Sequence, residues 1–248
     1  MPVTWVTAFL DSPPETADAA EAFWLDVTGT RLSAGRGERS EFASLLPDDG
    51  DPYVKVQRVV QSAPGGLHLD LHTDDVRALA ERAEGLGATT SYHVLGYVVC
   101  GSPNGMSFCL VGHPGRRRPP PQRWADGNRS VVDQVCLDIP PDVYDAECAF
   151  WAALTGWDRV DGGASEFDRL VRPADVPLAF LLQRLDAPGP AQQTVTGHLD
   201  LAADDREAET DRHVALGARA LRRTPGWTVL ADPAGRIYCI TGRRPGDV

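Results

Sequence analysis

The residues best suited to chemistry occur in a tetrapeptide used twice: His-Leu-Asp-Leu at His68 to Leu71 and at His198 to Leu201. Side chains alternate along a strand, so His68, Asp70 and His72 share one face, and His198 and Asp200 share the equivalent face. An imidazole near a carboxylate can move a proton close to neutral pH, hydrogen-bond a substrate or ligate a metal ion. Two residues along a straight strand span about 7 Å, enough to bias the histidine's protonation but too far for a direct bond without bending. The plainer reading is a structural histidine whose hydrogen bonds are satisfied, and the residues alone leave both readings open.

The surroundings of the tetrapeptide repeat with it. Residues 65–75 (GGLHLDLHTDD) laid over 195–205 (VTGHLDLAADD) share six identities, and the 130-residue offset continues through Leu86-Gly87-Ala88 on Leu216-Gly217-Ala218, Pro103 on Pro233, Gly105 on Gly235 and Cys109 on Cys239. Upstream the offset is 127 residues, with Phe23-Trp24 on Phe150-Trp151 and Thr28-Gly29 on Thr155-Gly156. A period near half the chain predicts two copies of one domain, 1–114 and 131–248, joined by an Arg/Pro-rich linker over 115–130. The linker runs Arg116 to Arg118 into Pro119 to Pro121, which favours extended geometry outside any sheet interior. It reads as a solvated or domain-docking connection.

Within each half the pattern predicts β-α-β-β-β twice. In the first half a strand over Trp5 to Asp11 is stopped by Ser12-Pro13-Pro14, a helix runs to about Val27, and three β-prone runs follow at 31–34, 41–46 and 53–60. A second strand, 67–72, leads into a helix whose Val76, Leu79, Ala80, Ala83 and Leu86 form one apolar face. Strands near 92–94, 97–100 and 106–111 complete the half. Phe23-Trp24 and Phe150-Trp151 are expected in the core, and Asp74-Asp75 and Asp204-Asp205 as helix caps.

The chain has 248 residues, 42% hydrophobic and 24% charged, ordinary values for a globular protein. Its net charge of −11 divides into −8 for 1–114, +4 for 115–130 and −7 for 131–248. Two acidic halves around one short basic segment argue against nucleic acid or an anionic membrane as partner. No apolar run approaches a membrane span, and the N-terminus lacks the basic-then-apolar signature of a secretory leader, so a cytoplasmic location is expected. Five cysteines without a Cys-x-x-Cys pair are expected to be reduced. No phosphate loop, nucleophile elbow or Rossmann glycine fingerprint is present.

The module order, the Phe-Trp late in the first helix ahead of Thr-Gly, the His-Leu-x-Leu strand and the closing Asp-Pro-x-Gly-x-x-x-x-Ile (Asp232 to Ile240) together resemble the vicinal-oxygen-chelate superfamily. That superfamily includes glyoxalase I, bleomycin-resistance proteins, fosfomycin-resistance enzymes and extradiol dioxygenases. The resemblance implies an α+β fold of two tandem domains, each with two βαβββ modules forming a curved sheet around a pocket.

It also implies a divalent-metal site built from a first-strand residue, the mid-domain histidine and a closing-strand glutamate. The matching positions are Thr7, His68 and Cys109 in the first half and Gln134, His198 and Cys239 in the second; neither set contains the carboxylate. The first set is a poor metal site. The second offers an amide oxygen, an imidazole and a thiol, a mixture that suits zinc better than iron or magnesium. Against this stands the reading of Cys109 and Cys239 as buried thiols. His198 and His68 are the candidate catalytic bases, and Tyr97 and Trp227, each after a glycine at the 130 offset, are candidate ligand-stacking residues or core aromatics.

Two functions remain open on this basis. One is an enzyme acting on a small oxygen-bearing organic molecule, a metal-assisted lyase, isomerase or dioxygenase with a non-standard site. The other is a non-catalytic small-molecule binder of bleomycin-resistance type. A tandem chain can pair its halves internally, so a monomer (a pseudo-dimer within one chain) and a homodimer are both expected forms.

Overall fold

The computed structural model describes residues 2–60, 66–93, 95–113, 115–186 and 193–246. In the first half, β1 (Trp5–Ser12), α1 (Pro14–Thr28), β2 (Arg31–Leu32), β3 (Phe42–Leu46) and β4 (Val54–Arg58) make one module. The next is β5 (Gly66–His72), α2 (Val76–Gly85), β6 (Thr89–Tyr92), β7 (Val98–Gly101) and β8 (Ser107–Val111). After β9 (Gln122–Arg123) the order recurs as β10 (Arg129–Ile139), α3 (Tyr144–Thr155), β11 (Asp158–Asp161), β12 (Phe167–Val171) and β13 (Ala179–Arg184). The last module is β14 (Thr196–Ala203), α4 (Arg206–Ala215), β15 (Arg219–Arg223), β16 (Trp227–Ala231) and β17 (Ile237–Thr241).

The expected β-α-β-β-β order is therefore present four times, with shifts at the ends. The strand expected at 92–94 lies earlier, at Thr89–Tyr92, because the turn already begins at His93, whose N–H donates to the Tyr97 carbonyl at 2.9 Å, with Gly96 at φ 84°; Val94 falls outside the described residues. The linker carries one short strand that the sequence did not suggest, and its docking is one of the two forms expected of it. Its Pro119 to Pro121 stretch carries no strand, yet Gln122 and Arg123 pair antiparallel with Ser130 and Arg129 at the start of β10. The segment is docked as well: Arg117 forms an ion pair with Asp49, and its N–H donates to Asp51 at 2.9 Å.

Local chemistry explains the helix boundaries. Pro14 sits where a helix needs no N–H donor, and Gly29 adopts φ 63° past the last turn of α1, as Gly156 does after α3 at φ 74°. Asp75 caps α2 by accepting from the Ala78 N–H, and Asp205 caps α4 by accepting from Glu207 and Ala208.

The strands form two mixed sheets, ordered β2-β3-β4-β1-β5-β8-β7-β6 and β11-β12-β13-β10-β14-β17-β16-β15. Near the middle of each lies a parallel pair in matching register. Asp70 pairs with Cys109 across β5 and β8, and Asp200 pairs with Cys239 across β14 and β17.

Contacts divide the chain into two compact units, each taking one module from each sequence repeat: 1–8 with 67–116 and 135–197, and 9–66 with 117–134 and 198–248. In the first unit, Phe108 packs edge-on to Trp151, and Trp151 likewise against Phe180. The fully buried Glu147 accepts from Trp151 Nε1 and from Asn104 Nδ2, both at 2.8 Å. In the second unit, Asp232 of the closing motif accepts from Trp24 Nε1 at 2.9 Å and from Arg236 Nη1 at 2.6 Å. Its other oxygen takes the N–H groups of Ala234 and Arg236, an Asx-type turn. Arg236, 4% exposed, reaches on to the carbonyls of Gly66 and Asp11 and to Ser12 Oγ. The expectation that Phe23-Trp24 and Phe150-Trp151 belong to the core agrees with their burial.

Replacing Arg236 with Met removes every partner of that guanidinium and leaves Asp232 buried without its cation. A loss of about 3–5 kcal/mol in urea unfolding is expected, and a loss below about 1 kcal/mol would show that the pair does not hold the modules together.

A second buried network joins α4 to α1. Fully buried His213 contacts Tyr238 Oη at 2.9 Å through Nδ1 and Glu209 Oε1 at 3.1 Å through Nε2. Arg212 Nη2 donates to the same Glu209 oxygen at 2.6 Å, and the guanidinium also reaches the carbonyls of Asp26 and Val27 at the C-terminal end of α1. Burial holds His213 below the ordinary histidine value, against the pull of Glu209. The unfolded chain therefore takes up a proton that the folded one refuses. Stability present above about pH 6.5 falls as pH drops below it, by up to about 1.4 kcal/mol per unit.

Glu209 does not contribute in that window. Burial raises it, but hydrogen bonds from His213, Arg212 and Ser130 outweigh burial and bring it to about 2. Its stabilisation is present above its ordinary value of 4.5 and decays only between there and about 2. Urea midpoints measured from pH 8 to 5 should fall for the wild type and fall less for His213→Gln; equal slopes would contradict the assignment.

Candidate metal and acid–base centre

The parallel register of β14 and β17 sets Asp200 and Cys239 side by side, with His198 two residues earlier on the same face. His198 Nε2 lies 3.4 Å from Asp200 Oδ1 and 3.6 Å from Cys239 Sγ. A donor atom from each of the three lies within 4.8 Å of the others. All are buried, His198 at 7%, Asp200 at 3% and Cys239 at 6% exposure. The separation expected between His198 and Asp200 is thus corrected. Their Cα atoms keep strand spacing, but the side chains lean together until the carboxylate reaches the imidazole.

That lean supplies the carboxylate missing from the position-matched set. It comes from the tetrapeptide's own aspartate instead of the closing strand. Asp200 Oδ1 is buried and makes no hydrogen bond, a costly state for a carboxylate oxygen unless a cation or proton faces it. The other oxygen, Oδ2, accepts from Gln134 Nε2 at 2.6 Å. A carboxylate oxygen calls for a donor, so the amide turns its nitrogen to Asp200. The Gln134 nitrogen is thereby committed to holding the carboxylate, and its Oε1 is the atom left for the ligand role expected from position.

The first half repeats the plan with different exposure. Asp70 faces Cys109 in register, and donor atoms of His68, Asp70 and Cys109 again lie within 4.8 Å of one another. Here His68 and Cys109 are half-buried, so Cys109 is not the fully buried thiol that the sequence allowed. Thr7 does not serve His68. Its hydroxyl lies 2.9 Å from His72 Nε2, while His72 Nδ1 faces the Gly112 carbonyl at 3.1 Å. A carbonyl only accepts, so Nδ1 carries the hydrogen, while the Thr7 hydroxyl can meet Nε2 as donor or as acceptor. The second half has Ala202 at the matching place, which makes this contact particular to the first half.

Tyr97 is half-buried and stacks on His93 with centroids 4.4 Å apart. Burial pushes its hydroxyl above the ordinary tyrosine value, and Cys109 and Asp70 add to that shift. Trp227 is half-buried at the start of β16, opposite Thr241. Asp70 and Asp200 are the site residues that position-matching missed. Their signal was the second polar letter of His-Leu-Asp-Leu.

The family model of the glyoxalase-like domain matches the chain twice, over residues 7–111 and 134–241. The chain belongs to the glyoxalase-like family. Among solved structures it is similar to a Mn(II)-bound glyoxalase from Novosphingobium aromaticivorans, at 19% identity and TM-score 0.66, over 97% of this chain and 82% of that one. It is also similar to a 4-hydroxymandelate synthase variant from Streptomyces coelicolor, at 18% identity and TM-score 0.63, over 100% and 95%. A homoprotocatechuate 2,3-dioxygenase variant from B. fuscum aligns at 15% identity and TM-score 0.64, over 99% and 74%. At these identities the likeness concerns the fold, which is that of the vicinal-oxygen-chelate superfamily. No curated protein matches the chain by sequence. No helix among the described residues is long and apolar enough to cross a membrane.

Substituting Gln134 with Leu should leave Asp200 Oδ2 without its donor inside the protein. The expected cost is about 1–3 kcal/mol in chemical unfolding, and Gln134→Glu should cost more because it sets two carboxylates together. A neutral result for both would show that the 2.6 Å contact contributes nothing.

Proposed function

We propose that this glyoxalase-like protein is a metal-assisted enzyme acting on a small oxygen-bearing organic molecule, with His198, Asp200 and Cys239 as the ion's ligands. The observation that carries the reading is the buried Asp200 Oδ1, which has no hydrogen bond and stands beside an imidazole nitrogen and a sulfur. One nitrogen, one carboxylate oxygen and one sulfur are the donor mixture that zinc accepts, and three protein ligands are the number a catalytic zinc site uses. Oxygen-preferring magnesium fits this set less well. The structural neighbours, named as a glyoxalase, a synthase and a dioxygenase, support the enzymatic side of the reading.

When bound, such an ion polarises the oxygens of a substrate. The chain's own residues then divide the remaining work. Gln134 fixes Asp200 through Oδ2, so that Oδ1 stays directed at the site. Cys239 must give up its thiol proton for the site to form, which makes occupancy pH-dependent. His68, half-buried beside Asp70 and Cys109 in the first cluster, is a separate candidate base.

The test is metal stoichiometry of purified protein reconstituted with zinc. The wild type should retain zinc through desalting, and Asp200→Asn, His198→Ala and Cys239→Ser should each lose it while keeping their circular-dichroism spectra. Cobalt loading gives a second readout, a thiolate-to-metal absorption band that vanishes in Cys239→Ser. A folded wild-type protein that releases all zinc on desalting would overturn the proposal and favour the binder.

A further inference from the structure

Within the unit formed by 1–8, 67–116 and 135–197, α2 and the β6–β7 hairpin border a groove of about 630 Å3. That volume lies in the range of small-molecule sites. One wall is helical, with Glu81 and Glu84 of α2 facing the groove. The hairpin side is aromatic: Tyr92, His93 and Tyr97 line the groove, and the His93 and Tyr97 rings lie nearly parallel at 15°. Gly96, between them, has φ 84°, and a Cβ there would meet nothing within 4 Å, so the turn that carries the aromatics leaves the groove clear.

Charge gives the groove its sign. The cation lining it, Arg77, is held by Glu81 at 3.1 Å. Glu84 has no cationic partner among the described residues. Its Oε1 accepts from the hydroxyls of Thr90 and Tyr92, which fix the carboxylate against the aromatic wall without neutralising it. The groove therefore presents a fixed carboxylate, without an ion-pair partner among the described residues, beside aromatic rings. Both features attract a cation with an apolar body, and both disfavour an anion.

We propose that this groove binds an organic cation, a protonated or quaternary amine on an aromatic body, with Glu84 facing the charge and the His93–Tyr97 pair stacking on the body. The ligand class is set by a carboxylate held beside aromatic rings in one groove. It is independent of metal binding at Asp200, which belongs to the other unit.

The experiment uses the full chain and two probes, benzyltrimethylammonium and neutral benzyl alcohol, titrated by calorimetry at low and high salt. The expected result is saturable binding of the ammonium at least about tenfold tighter than the alcohol, weakening as salt rises. Glu84→Gln and Tyr97→Ala should each weaken it by about tenfold. Glu207→Gln, which removes an exposed carboxylate that does not line the groove, should leave it within about twofold, since an exposed charge without contact to the ligand is screened. Glu84 is itself exposed, so its variant tests the site without threatening the fold. Equal affinity for the two probes, an unchanged Glu84→Gln, or no saturable binding of the ammonium would each overturn the proposal.

Discussion

The parallel pairing of β14 with β17, and its counterpart between β5 and β8, is the constraint from which the candidate chemistry follows. A parallel register places equivalent side chains of two strands on one face at neighbouring heights. Because Asp200 faces Cys239 and His198 precedes Asp200 by two, an oxygen, a sulfur and a nitrogen converge. One step of slippage in β17 would turn Cys239 to the opposite face and leave His198 and Asp200 without the thiol. The intervening α4, β15 and β16 supply the crossover that a parallel pair requires.

The two copies of this arrangement have diverged in surroundings more than in plan. In the second half the cluster is buried and Gln134 restrains its carboxylate. In the first half two of the three groups are half-buried, Thr7 is engaged with His72, and Tyr97 stands near the cluster. Burial strengthens electrostatic attraction to a cation and raises the cost of leaving a carboxylate alone. That contrast favours the second copy as the tighter cation site and leaves the first copy better placed to meet a small molecule.

Much of this was legible in the sequence, for reasons that can be stated. Offsets of 127 and 130 residues exposed the duplication, because a repeated fold repeats its glycine turns, its Phe-Trp core pair and its closing Asp-Pro-x-Gly. The period could not show that each compact unit combines modules from both halves, since similarity between segments carries no information about which segments touch. The role of Asp200 was hidden for a geometric reason. Strand spacing places Cα atoms too far apart, and only side-chain rotamers bring the carboxylate to the imidazole. Gln134 was visible by position, but which side of its amide faces the site depends on Asp200. The groove of α2 and the hairpin left no periodic signal, because Tyr92 meets Glu84 across the connection from α2 to β6 and Tyr97 lies beyond the turn at Gly96.

X-ray absorption of the zinc-loaded protein most directly tests the claim that His198, Asp200 and Cys239 form one metal-binding centre. The zinc should show a first shell with one sulfur at about 2.3 Å and nitrogen or oxygen neighbours at about 2.0–2.2 Å. The sulfur should be absent from Cys239→Ser. A shell of oxygen and nitrogen alone in the wild type, or a sulfur that persists in Cys239→Ser, would contradict it.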